Sequence, residues 1–94
     1  MIDAEEALRV GLISDVTEPD DLMALATKFA TRIAGNAPLS VKAAKQAALM
    51  GLDMPLEQGI AFSHLLCGAL RDTEDRKEGF QAFGEKRAPE WKGR

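Results

Sequence analysis

Hydrophobic positions along the chain recur at helical spacing in five stretches, separated by short joints rich in Gly, Pro and Asn. The first opens at Asp3, with Glu6 three residues on, a capping-box arrangement, and ends at Gly11. Ala4, Ala7 and Leu8 share one face of it. Leu12–Val16 is too short and apolar for a helix and reads as a brief extended segment. Pro19 starts the second helix, with Asp20 and Asp21 near its positive end, and Gly35-Asn36 stops it. Leu22, Leu25, Ala26, Phe29 and Ile33 form its apolar stripe. The third runs from Pro38 to Gly51, with Val41, Ala44, Ala48 and Leu49 on one side. The fourth runs from Pro55 to about Leu70. Asp72 is placed to cap a fifth, with Asp75 three residues later, which reaches Phe80 and Phe83 before Gly84, Phe83 reading as core packing against Phe80 or the fourth helix. The tail from Glu85 to Arg94 is polar apart from Pro89 and Trp91.

Two features point to a missing partner. A single extended segment at 12–16 has no strand to pair with. The fourth helix is apolar on more than one face, because Phe62 and Leu65 lie well around it from Ile60 and Leu70. A few short helices cannot cover such an element from every side. The fold class expected is all-α: about five short helices in one domain over 1–94.

Composition adds to this. Aliphatic residues and Ala supply most of the 46% hydrophobic content, with four Phe, one Trp and no Tyr, a balance that suits packed helices. No apolar run is long enough to span a membrane, and the start is acidic where a targeting peptide is basic. A cytoplasmic protein, or an organellar one already trimmed, is the expectation. The net charge of −3 hides an asymmetry: residues 1–21 carry seven acids against Arg9, while 85–94 carry four bases against two acids. An acidic start argues against nucleic acid as a partner, whereas the basic tail suits either a phosphate or plain solvation. Cys67 is the only cysteine and, among leucines, reads as a small packing residue. His64 has no second ligand at metal spacing, so no metal is expected. The acids Glu57, Glu74, Glu78, Glu85 and Glu90 read as caps and solvated faces, and Trp91 as the residue that docks the tail.

Ala4-Glu5-Glu6-Ala7-Leu8-Arg9-Val10-Gly11-Leu12-Ile13 with Val16 resembles the "A-x-E-A-L-x-x-G-L-V-x-x-V" segment of the crotonase (enoyl-CoA hydratase/isomerase) family. Ala34 through Lys45 resembles its "I-A-x-x-x-P-x-x-V-x-x-x-K" helix start. Asp75–Gly79, Ala82-Phe83, Glu85-Lys86-Arg87, Pro89 and Trp91 resemble its terminal "E-G-x-x-A-F-x-E-K-R-x-P-x-F". The three stretches occur in the family's order.

The resemblance implies a C-terminal helical domain severed from a β-β-α catalytic core. In that family the core polarises an acyl-CoA thioester carbonyl with two backbone N–H groups and moves protons with two glutamates. It implies no catalytic residue in this chain, which is expected to be inactive alone, and acyl-CoA as the substrate of the complete hydratase, isomerase or lyase. It also implies partners: the missing core and neighbouring subunits in a trimer or hexamer. Carried over by motif, Lys86 approaches the nucleotide phosphate and Phe83 borders the adenine; an ammonium suits phosphate and an aromatic face covers a purine. Some members place an aromatic where this chain has Cys67, which thins the stacking surface. The alternatives are a non-catalytic helical module that binds CoA and one that only self-associates.

Overall fold

The computed structural model describes all residues, 1–94. It is all-helical: α1 Ala4–Arg9, a single 3-10 turn at Pro19–Asp21, α2 Leu22–Ala34, α3 Pro38–Gly51, α4 Leu56–Ala69 and α5 Glu74–Glu85. Two compact units divide it, residues 1–31 and 32–94, the boundary falling inside the last turns of α2.

In the first unit, Asp3 caps α1 by accepting the Glu6 N–H at 2.8 Å, and Glu6 holds Arg9 through both carboxylate oxygens at 2.6 and 2.5 Å. The helix closes with a paired turn: Gly11 N–H donates to the Leu8 carbonyl and Leu12 N–H to that of Ala7. This turn needs a left-handed residue, and Gly11 supplies it at φ +76° without steric cost. No strand forms at 12–16, the segment read as extended. Leu12 and Ile13 are drawn back over α1 by their N–H bonds to Ala7, and no strand exists to pair with them. Of the expected apolar face only Ala7 is buried. Pro19 starts a tight turn, and the second helix proper begins at Leu22.

In the second unit, α3 and α4 make the principal helix pair. Gly59 of α4 lies against the backbone of Gly51, where an added side-chain carbon would stand 3.7 Å from the Gly51 carbonyl oxygen, an ordinary contact. Gly59, Phe62, Ser63, Leu66 and Leu70 form a half-buried stripe at helical spacing. On α3 the half-buried residues are Leu39, Val41, Ala43, Ala47 and Gly51; Ala44, Ala48 and Leu49, expected on the inner face with Val41, are exposed. Leu56 and Ile60 on one side of α4 and Leu65 on another are open to solvent. Only Ala7 and Ala82 are fully buried among the apolar residues of the chain.

Helix α5 begins one residue later than Asp72 would place it. Thr73 is the cap, its Oγ1 accepting the Arg76 N–H at 3.2 Å and donating to the Leu70 carbonyl at 2.8 Å. It also passes Gly84, ending at Glu85 with Lys86 in the left-handed conformation at φ 55°. Its last turn has the bonding of the α1 terminus: Lys86 N–H donates to the Phe83 carbonyl and Arg87 N–H to that of Ala82. Gly84 stands two residues before the left-handed position and does not serve.

Candidate functional site

Beyond Lys86 the chain turns back along α5, and three groups on that helix hold it. Asp75, 2% exposed, accepts the Lys92 N–H at 2.6 Å and the Gly93 N–H at 2.9 Å on its two oxygens. Its own N–H donates to the Arg94 carbonyl. One turn on, Glu78 accepts both terminal nitrogens of Arg87, at 2.5 and 3.0 Å, and the Glu90 N–H at 2.8 Å. Between them Trp91 lies over Gly79, where an added side-chain carbon would stand 3.4 Å from the ring, and its indole N–H donates to the Gly35 carbonyl at 2.8 Å. Glu74 adds looser pairs to Lys92 and Arg94.

The Arg87 guanidinium and the Glu90 N–H hold the Glu78 carboxyl at about 2, well below its ordinary 4.5, and Gln81 with Arg87 lowers that of Glu85. Arg87 is itself pushed up by the same two acids. A carboxyl depressed on folding contributes stability that is fully present above its unfolded value and is lost as pH falls through its folded value. Tail docking is therefore expected to weaken between pH 4.5 and about 2. Trp91 is the only tryptophan and there is no tyrosine, so its emission reports this step directly. Acidification should shift it to the red, and Glu78→Gln should remove most of that pH dependence.

The residues singled out from the sequence fall as follows. Lys86 and Phe83 share the last turn of α5. Phe83 is 87% exposed and Phe80 70%, so neither packs into a core as their apolar character suggested. Both line an open pocket of about 470 Å³ with Ala37, Cys67, Leu70 and Arg76, whose guanidinium stands 5.5 Å from the Phe80 ring centre. Cys67 is exposed here, not the buried packing residue its leucine neighbours implied. Lys86 has no acid partner, whereas the other three bases of residues 85–94 are all paired. Trp91 docks the tail, as its isolated position suggested. Asp75 and Glu78 were read only as a cap and a solvated acid. Their partners lie 9 to 18 residues away, beyond any local pattern.

No group of three or more His, Cys, Asp and Glu residues is placed to hold a metal, and no helix is long and apolar enough to cross a membrane. The open pocket is lined by the Arg76 guanidinium and the exposed rings of Phe80 and Phe83.

The family model for enoyl-CoA hydratase/isomerase matches residues 1–94. The (E)-benzylidenesuccinyl-CoA hydratase of Thauera aromatica is 68% identical over 99% of this chain and 36% of its own length. The short-chain-enoyl-CoA hydratase of Clostridium acetobutylicum is 43% identical over 92% of this chain and 33% of its own. The crystal structure of an enoyl-CoA hydratase from Bacillus anthracis superposes with a TM-score of 0.94 at 38% identity, covering 99% of this chain and 36% of that one. The chain thus spans about a third of the length of the curated relatives it matches. With a match along its whole length and a superposable helical fold, the chain belongs to the enoyl-CoA hydratase/isomerase family.

Proposed function

We propose that this chain is the C-terminal helical part of an enoyl-CoA hydratase, docking on a catalytic core and bordering the acyl-CoA site through Lys86 and Phe83. One observation carries the proposal: the chain has the family's helices yet almost no interior of its own. Large apolar side chains on α4 and α5, including Leu65, Phe80 and Phe83, stand in solvent. Leaving such surface uncovered is unfavourable by ~25 cal/mol per Å², and contiguous apolar patches of this kind mark contact with another protein surface. The motif order, with the "E-K-R" stretch near the end, supports the C-terminal position.

The complete enzyme adds water to the double bond of a 2-enoyl-CoA thioester. The T. aromatica relative favours a substrate of the benzylidenesuccinyl type. Phe83 offers an aromatic face and Lys86 an unpaired ammonium, the two groups that suit a purine and a phosphate. The same exposed surface also serves contacts between subunits. The acid–base groups and the oxyanion donors belong to the core, so this chain alone binds and assembles without catalysing. The test is hydration of crotonyl-CoA and of (E)-benzylidenesuccinyl-CoA, followed by loss of enoyl absorbance. The 94-residue chain should give no turnover above a blank, and the protein joining it to its core should turn over at least the second thioester. Turnover by the chain alone would overturn the proposal.

A further inference from the structure

Lys86 occupies the one position in α5 where glycine is the usual residue. At φ 55° it lies in the left-handed region, which disfavours a residue with a side chain. The turn itself does not call for lysine, since Gly11 closes the same turn in α1. A strained residue persists where its surroundings over-determine it, and such strain is often tied to function.

Those surroundings are specific. The residues on either side of Lys86 are joined to each other, Arg87 Nε donating to Glu85 at 2.6 Å, so their side chains close a bridge beside it. Arg87 is fixed further: its other two nitrogens reach Glu78, and one also donates to the Ala88 carbonyl at 3.1 Å. Every guanidinium nitrogen is thus engaged, and two carboxylates neutralise it. Arg87 is thereby removed as a competing phosphate ligand, and Lys86 is left as the sole unpaired base of the tail. Holding the backbone of a binding residue in advance spares the ordering entropy that binding would otherwise cost.

We propose that Glu78, acting through Arg87, is a positioning residue that locks the left-handed turn at Lys86 for capture of the acyl-CoA phosphate. This rests on the assignment of Lys86 to the acyl-CoA edge. Glu78 touches no ligand. Its contribution is to keep Arg87 occupied and the turn closed.

The experiment measures KM and kcat in the complete enzyme, with (E)-benzylidenesuccinyl-CoA, for Lys86→Ala, Glu78→Gln, the double variant and Glu74→Gln. Glu74 pairs with the same tail at Lys92 and Arg94 but not near the turn, so it controls for general tail docking. Lys86→Ala is expected to raise KM about tenfold with kcat within twofold, the pattern of a lost binding contact. Glu78→Gln should raise KM several-fold with kcat unchanged, and the double variant should match Lys86→Ala alone, as expected for residues acting as one unit. Glu74→Gln should leave both constants alone. Should Glu78→Gln fail to fold, shown by loss of its cooperative unfolding transition, Arg87→Met takes its place with the same expectations. An unchanged KM in Lys86→Ala would remove the phosphate assignment and the positioning role together. A raised KM there, with Glu78→Gln neutral, additive to it, or matched by Glu74→Gln, would overturn the positioning role and leave the assignment standing.

Discussion

Asp75→Ala is expected to release the last residues of the chain and destabilise the second unit by about 3 kcal/mol or more. Asp75 is one of three buried residues in the chain, and it is the only charged one. Both oxygens are committed, to the N–H groups of Lys92 and Gly93, and a hydrogen bond to a charged group is worth ~1.5–3 kcal/mol. Alanine removes both acceptors and leaves two part-buried donors without partners. The carboxylate also sits in the first turn of α5, where the helix dipole favours a negative charge. Asp75→Asn separates these contributions. The amide retains one acceptor oxygen but turns a donor toward the second N–H, so it should recover less than half of the loss. Trp91 reports the outcome, because its indole bond to Gly35 and its contact with Gly79 depend on the tail staying down. Emission should shift to the red in Asp75→Ala and the denaturant midpoint should fall. Unshifted emission with an unchanged midpoint would show that the tail is held by Glu78 and Trp91 alone.

What could be read from the sequence follows the range of the forces involved. Helix bodies depend on neighbours three and four residues apart, so the five helices emerged from apolar spacing, and the Asp3 cap and Gly11 stop were legible because each acts within one turn. The errors have physical causes. Residues 12–16 are apolar and short, yet a strand needs a partner, and the N–H groups of Leu12 and Ile13 bond back to Ala7 instead. Asp72 and Thr73 are both good caps, and only the backbone decides between them. Gly84 looked like a stop, but the left-handed residue is Lys86, a substitution that local preference argues against. Burial was misjudged at Cys67, Phe80 and Phe83 because apolar character predicts that a residue wants cover, not that this chain supplies it. The tail clamp was invisible for another reason. Asp75 and Glu78 look like ordinary helix acids until the chain folds back, and nothing in the local pattern sets that return. The unpaired state of Lys86 is legible only after every neighbouring base has been assigned a partner.

The same exposed surface makes self-association the expected behaviour of the chain on its own. Phe83 is 87% exposed, Leu65 72% and Phe80 70%, and all three lie in the second unit. Burying one such side chain is worth ~1.5–3 kcal/mol, and each would be covered once in each copy of a symmetric pair. Six burials thus offer roughly 9–18 kcal/mol, against an association cost of about 4–15 kcal/mol. The central values leave about 4 kcal/mol, a weak pair with a dissociation constant on the order of a millimolar. It should strengthen with added sulfate, which favours apolar burial, and respond little to moderate NaCl, because the charges of the tail are already paired within the chain. Light scattering from 5 to about 500 micromolar should show the mass rising above the 10.2 kDa monomer. Phe80→Ser with Phe83→Ser should hold it at monomer mass while the helical circular dichroism stays unchanged, since both rings stand in solvent. A monomer at every concentration would mean that these side chains find cover only on the catalytic core, which would favour docking over assembly as the role of this face.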